Sequence, residues 1–391
     1  MTGHKFYLWD DDRQDFSDGQ SFKHHYGKAN SWCEIQCVKY LAEKMFYPCQ
    51  IGTLNFDKLN DIHPVALKHI QKRRMKLMIF FPYEGYSSNH PSHIGDLSWT
   101  ELISKYLHKN KILESDVILV YGDLNFHKNF ETEMHVIPFN CFEYYSAHDY
   151  DEVQKQNNWT PLFQPTVDFK KDKIFLFKNA VTQRVHRQTF YIRLRELGLT
   201  DYCLMSWLNR YETKKIDENL VKVIKHHFDL DYSFEEIQFL NEKVVLDFED
   251  LPGKKQAFLT NETFTRTWYS LVMETLFEKD INFVTEKTYQ PIINYHPFLI
   301  ASTPYALKNL HEDGYETFPE VFDESYDEEE DSAKRFAMIV EQVRLSCQPG
   351  FEEKFKQPSV REKLLHNRKN WSLRKGNPHV KRLLLALSAL A

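Results

Sequence analysis

The stretch "NFVTEKTYQPIINYHPFLIASTP", residues 282–304, decides how the fold is read. It has the rhythm of a helix followed by a buried strand. At the helix start it also carries an acid and a base side by side, Glu286 and Lys287. A plain explanation exists: helix starts tolerate Glu, and Lys can point to solvent. The sharper one is that the helix end faces a phosphorylated ligand. If Thr285 caps the helix, Glu286 and Lys287 fall in its first turn. Free backbone N–H groups and the positive end of the helix dipole are found there. That end suits a phosphate, with Lys287 as an added point charge. A carboxylate beside it can accept two ribose hydroxyls, and Thr288 can donate to a phosphate oxygen.

Outward from this unit the pattern is strand, helix, strand. Upstream, "KIFLFKN" reads as a buried strand, "HRQTFYIRLRELGL" as a helix ending at Leu197-Gly198, and "YCLMSW" as the next strand. "IDENLVKVIKHHF" is a helix, and "TFTRTWYSLVMET" alternates like a strand. Downstream, "PYALKNLHEDG" is a helix stopped by Gly314, and helices are expected at 334–346, 358–369 and 378–389. Residues about 150–170 lack periodicity and hold two prolines, so a linker is expected there.

The first part of the chain repeats the style. "KFYLWD" is a strand, "SWCEIQCVKYLAEKMF" an amphipathic helix and "HPVALKHIQKRR" a second helix with Pro64 near its first turn. "KLMIFFPYEG" and "DVILVYGDLN" read as buried parallel strands running into loops. "SWTELISKYLHKN" is a helix capped by Ser98 or Thr100, and "MHVIPFN" a further strand. The fold class is therefore α/β, with sites at the carboxyl ends of the strands. Domains are expected at 1–160 and 161–350, with C-terminal helices over 351–391 packing back on the first.

With 391 residues, two domains are the natural prior. No apolar run is long enough to span a bilayer, and the amino terminus lacks the apolar centre of a signal peptide. Six scattered cysteines fit structural thiols in a reduced, cytoplasmic protein; Cys33 and Cys37 can sit one helical turn apart, without a second zinc-spaced pair. Net charge is −6, yet residues 312–331 hold eleven acidic residues and no Lys or Arg, while the tail from Arg361 has eight basic residues and one acidic. An acidic chain is not a general nucleic-acid binder. The basic tail reads as the solvated face of a terminal helix, and "DESYDEEED", 323–331, as an exposed acidic loop.

Two further constellations carry chemistry. In residues 178–194 a strand ends at Asn179, and a loop with Arg184, His186 and Arg187 leads into a helix, a natural anion site. Arg193 and Arg195 read as surface charges. In "FFPYEGYSSNH", residues 80–90, Glu84 follows a buried strand, and Gly85 permits a sharp turn. His90, His93 and Asp96 come soon after. A carboxylate there can take a proton from an acceptor hydroxyl; Asp123, Asn125 and His127 are a parallel candidate. GxGxxG, P-loop, GxSxG and HExxH motifs are absent from the sequence, and no metal ligand set is expected.

The 282–304 stretch resembles the donor-site motif of α-1,3-fucosyltransferases, where Thr-Glu-Lys opens a helix and a strand with Pro follows. It is closer to a group of glycosyltransferase-like proteins of tailed phages and marine bacteria, which share a Thr-Glu-Lys-Thr motif, an "HPF" strand and a "GY.TF...FDESYD" segment. The match here is "GYETFPEVFDESYD", with His186-Arg187 and Glu84-Gly85 also similar. The likeness is strongest over 173–206 and 262–331. It implies a GT-B architecture, two Rossmann-like domains facing across a cleft. The donor would be a nucleotide-diphosphate sugar held mainly by the second domain, with no other cofactor and no metal. By this resemblance Glu286 binds the ribose, and Lys287 the diphosphate with Arg184 or Arg187; Thr285 and Thr288 belong to the same motif. Glu84 and His186 are the expected catalytic residues of an inverting transfer to a hydroxyl acceptor. The acceptor is a glycan or, alternatively, hydroxymethylated DNA, for which 68–76 and 368–382 would supply a basic groove. A third reading is a non-catalytic sugar-nucleotide-binding protein. A phage-encoded version would act in the host cytoplasm.

Overall fold

The computed structural model describes residues 4–9, 33–38, 41–51, 56–82, 97–123, 126, 130–156, 161–180, 182–208, 216–245, 261–277, 281–374 and 377–390. The chain divides into two compact units: Met1–Tyr144 with Asp280–Phe283 and Gly376–Ala391, and Tyr145–Lys279 with Val284–Lys375.

The first unit is built on six strands: β1 (His4–Trp9), β2 (Cys33–Val38), β3 (Met45–Gln50), β4 (Lys76–Phe81), β5 (Val117–Tyr121) and β6 (His135–Pro138). All pair in parallel, in the order β2-β1-β3-β4-β5-β6. Here the expected helix over residues 31–46 is overturned. "CEIQCV" also fits a two-residue period, and it lies residue for residue along β1, from His4↔Cys33 to Trp9↔Val38. Ladder bonds to a neighbouring strand outweigh a helical spacing that the segment satisfies equally well. Cys33 and Cys37 are therefore four apart in a strand and not one helical turn apart.

Helix α1 (Pro64–Gln71) carries Pro64 in its first turn, as expected. In α2 (Trp99–Lys109) Ser98 is the cap. Its hydroxyl accepts from Glu101 N at 3.2 Å, while the Glu101 carboxylate accepts from Ser98 N at 2.7 Å. This reciprocal pair satisfies two otherwise orphaned donors. Trp99, fully buried, lies among the rings of Phe56, Phe81, Tyr121 and Phe126.

Part of the expected linker is helical: α3 spans Phe142–Gln156. Farther on, Thr166 is tied to Tyr295 O through its N at 3.0 Å and its Oγ1 at 2.9 Å. Those partners are more than a hundred residues away, beyond what local periodicity can register.

The second unit holds β7 (Lys173–Asn179), β8 (Cys203–Trp207), β9 (Thr267–Met273) and β10 (Phe298–Ala301), all parallel, in the order β10-β9-β7-β8. Its helices are α4 (Val185–Glu196), α5 (Glu218–Phe228), α6 (Asn261–Arg266), α7 (Glu286–Ile293), α8 (Ala306–Glu312), α9 (Ser332–Ser346) and α10 (Pro358–Arg374). The stretch expected to be one strand over 263–275 begins instead as α6. Gly198 (φ 68°) and Gly314 (φ 79°) take left-handed conformations just past α4 and α8.

This strand order positions the site. The step from β7 to β8 runs one way across the sheet, and the step from β9 to β10 runs the other. Right-handed crossovers then put α4 and α7 on opposite faces. The loops leaving β7 and β9 diverge, and ligands of such sheets bind at the carboxyl ends where they part.

Two charged segments depart in part from the plain reading. Most of the acidic run is exposed, as expected, but Glu324, Asp327 and Asp331 are tied into the fold. Asp327, 7% exposed, accepts from Leu307 N and Lys308 N at 2.9 and 3.1 Å, and so caps α8. Asp331 caps α9, and Glu324 accepts from Thr317 Oγ1 and Phe318 N. Free N–H groups at helix starts recruit these carboxylates. In the basic tail, Arg368 stacks on Tyr150 and Trp371, Arg374 pairs with Asp313 at 3.0 Å, and Lys363 with Glu320 at 2.7 Å. The last helix, α11 (Asn377–Leu390), belongs with the first unit, where His379 Nε2 lies 3.1 Å from Glu143. Among the described residues, no helix is long and apolar enough to cross a membrane. Cys49, Cys141, Cys203 and Cys347 are buried, and burial pushes the thiols of Cys49 and Cys203 up to about 12.

Candidate functional site

At the switch point between β7 and β9, the first residue after β9 is Glu274, fully buried. Its carboxylate accepts four hydrogen bonds. Thr285 Oγ1 and Thr288 Oγ1 donate at 2.6 Å each, and Thr285 N and Thr275 N at 3.1 Å each. Three of these donors belong to the start of α7. A carboxylate from the end of one strand thus fixes the amino end of the next crossover helix.

Thr285 is the cap of α7, as its sequence position suggests. Lys287 Nζ lies 2.8 Å from Glu286 Oε1, 3.1 Å from Thr285 Oγ1 and 3.2 Å from Thr275 Oγ1. The pair is only half-buried, with 29% of the Lys287 and 39% of the Glu286 side chain exposed. Burial pushes the Glu286 carboxyl up, but Lys287, with help from Arg187, holds it below its ordinary value. Thr288 needs a correction. Its hydroxyl has a single proton, already given to Glu274, so it has none for a phosphate oxygen.

On the other face, α4 begins at the opposite side of the same loop. Arg187, 3% exposed, donates through one Nη to Met273 O at 3.1 Å and Glu274 O at 3.0 Å. Burial pushes its guanidinium down to about 10, with Glu274 pulling the other way. His186 donates from Nε2 to Glu274 O at 3.0 Å, and its ring stacks on Phe277 at 5.6 Å. Burial, then the charge of Arg187, holds its pKa well below the ordinary value. The expected catalytic His186 is engaged through one of its two ring nitrogens. Nε2 is committed to a backbone carbonyl, and the neutral ring anchors the loop that follows β9. Arg184 differs from both. It is half-buried, sits at the cap of α4, gives that helix no side-chain cap, and its guanidinium meets no hydrogen-bond or ion-pair partner among the described residues.

Between α4, α5 and the loop after β9 lies a cavity of about 260 Å³. Arg184, His186, His227, Phe228, Thr275 and Phe277 are among the residues that line it. Arg335, 1% exposed, holds this loop from behind. Its guanidinium bonds Phe277 O and Ser302 O and covers the Phe277 ring at 4.5 Å.

Of the residues expected from sequence, Arg184, His186, Arg187, Thr285, Glu286, Lys287 and Thr288 come together around this loop. Glu84 lies outside the described residues, as do His90, His93, Asp96, Asn125 and His127. Asp123 is 2% exposed and accepts from Asn282 N at 2.8 Å within the first unit. Sequence reasoning missed Glu274 and Thr275. A carboxylate directly after a seven-residue buried strand was the available signal. No protein-family model matches this chain, and no curated protein does either.

Proposed function

We propose that this chain is a glycosyltransferase of GT-B type. It moves a sugar from a nucleotide-diphosphate donor to a hydroxyl acceptor, with inversion. One observation carries the reading: a buried carboxylate at the switch point rigidly aims the start of α7, and this start presents Lys287 and Glu286 as its half-exposed groups. Lys287 neutralises the departing diphosphate, while Glu286 accepts ribose hydroxyls. Arg184 and the positive dipole end of α4 add positive potential from the other side of the loop. Fixed cations and dipoles of this kind stabilise a leaving charge without reorganising during the reaction. His186 and Arg187 hold the loop. The acceptor is deprotonated by a carboxylate, for which Glu84 is the candidate.

Nucleotide-sugar turnover, hydrolytic or to an acceptor, tests this. Lys287→Ala is expected to lower turnover by about 10²–10³-fold while the protein stays folded. Unchanged turnover, or no turnover and no binding by the parent chain with any nucleotide sugar, refutes the reading.

A further inference from the structure

Residues 68–76 form the basic segment that a DNA acceptor would need, yet they do not stand at the carboxyl edge of the first sheet. Helix α1 runs back toward the amino ends of the strands, and Lys72, Arg73 and Arg74 follow its last turn just before β4 begins at Lys76. In a parallel sheet that edge lies opposite the loops where ligands bind. Helix α2 ends on the same edge, with Lys109 and Lys111 ahead of β5. The two ends touch: Gln71 Nε2 donates to Asn110 O at 2.8 Å, and Lys76 Nζ to Ser115 O at 3.3 Å. Lys44 stands directly before β3, the strand beside β4. Lys44, Lys72, Arg73, Arg74, Lys109 and Lys111 are all exposed, and neither 68–76 nor 105–111 contains an acid. Arg73 pairs with the buried Asp116 at 2.9 Å. Glu43 and, toward β6, Glu114, Glu131 and Glu133 border the patch.

Cations at helix carboxyl ends complement the helix dipole, which is the plain reason for Lys72 and Lys109. The backbone asks for more. Lys44, Arg73 and Lys111 take left-handed conformations, with φ of 55°, 57° and 54°. They are the described non-glycine residues of the first unit that do so, and all three are basic. Arg73 and Lys111 fill the position just past a helix cap where glycine is usual. A side chain is strained in that conformation and glycine is not. The dipole can be served from the last turn without this strain, and Lys44 follows no described helix. Strain kept at three neighbouring turns points to a use for the charges they display.

We propose that this edge docks the protein on an anionic lipid surface, a property that goes beyond the transferase reading and does not rest on it. Headgroup charge acts over about 8 Å at physiological salt and needs no fixed donor geometry. Nucleic-acid phosphates are gripped by backbone N–H groups and helix amino ends as well as by side chains. This edge presents two helix carboxyl ends, where carbonyl oxygens face outward. Leu113, 53% exposed and close after Lys111, adds an apolar side chain that a lipid interface accepts.

Co-sedimentation of the full chain with phosphatidylcholine vesicles, with and without phosphatidylglycerol, tests it, beside a titration with duplex DNA. Each basic residue near such a surface raises binding roughly fivefold. The parent chain is expected to bind the anionic vesicles about tenfold or more tighter than the neutral ones, and to lose this preference at high salt. Lys72→Glu with Arg74→Glu should abolish the preference. Lys44→Gly with Lys111→Gly should weaken anionic-vesicle binding by about twentyfold, and it keeps or raises the unfolding midpoint because glycine suits the backbone there. No preference for anionic vesicles, or a preference that either double variant keeps in full, overturns the proposal. Tighter binding to duplex DNA than to anionic vesicles, lost in the same variants, assigns the edge to nucleic acid and overturns it as well.

Discussion

Helices α4 and α7 start on either side of one loop, Glu274–Phe277, and satisfy their first turns in opposite ways. The start of α7 is closed. Thr285 caps it, Glu274 holds Thr285 and Thr288 from outside the helix, and Lys287 rests on three oxygens. At the start of α4, Arg184 occupies the cap position and offers no side-chain acceptor. Orphaned N–H groups at a helix start need partners from somewhere. The first helix finds them in its own fold. The second draws none from its own cap side chain, where Arg184 stands instead.

The most severe way to break this contrast is Glu274→Leu. It strips the carboxylate from four donors and leaves Arg187 buried without its counter-charge. A loss of about 3–5 kcal/mol in urea unfolding is expected. Glu274→Gln should cost less, because one acceptor remains. A loss under about 1 kcal/mol for the leucine variant would mean that the α7 start is not held by this network.

Next comes Lys287→Ala. Removing a single preorganised donor from a site of developing charge lowers the rate by about 10²–10³. An exposed or half-exposed ion pair contributes about 0–1 kcal/mol to folding, so the unfolding midpoint should barely move. A large stability loss with proportionate loss of activity would make Lys287 structural.

The acidic segment sharpens the comparison, since it too supplies carboxylates to helix starts from outside, as Asp327 does for α8. Burial pushes the neighbouring Glu324 up to about 7, against the pull of its bonds to Thr317 and Phe318. The protonated form is thus favoured by the fold. Its stabilising contribution is fully present below the ordinary carboxyl value of 4.5 and is lost as pH rises through about 7. Glu324→Gln, which mimics the protonated acid, should be about 1–3 kcal/mol more stable than the parent at pH 8 and equal to it near pH 4.5. Parallel stability curves for the two proteins would show that Glu324 ionises freely.

The smallest expected effect is at the start of α4. Arg184→Gln should weaken pyrophosphate binding by about tenfold, or about 1.4 kcal/mol, with little change in stability. Equal affinity would place the anion elsewhere.

The contrast also shows which levels of structure can be read along the chain. The buried parallel strands β4, β5, β7 and β10 stood out because their apolar runs are continuous, and α2 and α7 because their caps are local. Residues 31–46 misled because "CEIQCV" satisfies both periods, and only pairing with β1 chooses between them. The residues near the site were legible in outline: Arg184, His186, Arg187 and the Thr285–Thr288 run do gather. Their jobs were not legible, since contacts with a residue far along the chain tied His186 to Glu274 O and committed Thr288 to the Glu274 carboxylate.

By itself the sequence determined the α/β class, the buried strands and the charged start of α7, because these depend on periodicity and on neighbours within a turn. Only the tertiary structure decided that Glu274 holds that start, that Arg184 gives α4 no side-chain cap, and that Asp327 is carried onto the start of α8. Those outcomes depend on strand order, which sets residues far apart in the chain at one carboxyl edge, and on desolvation, which no local spacing records.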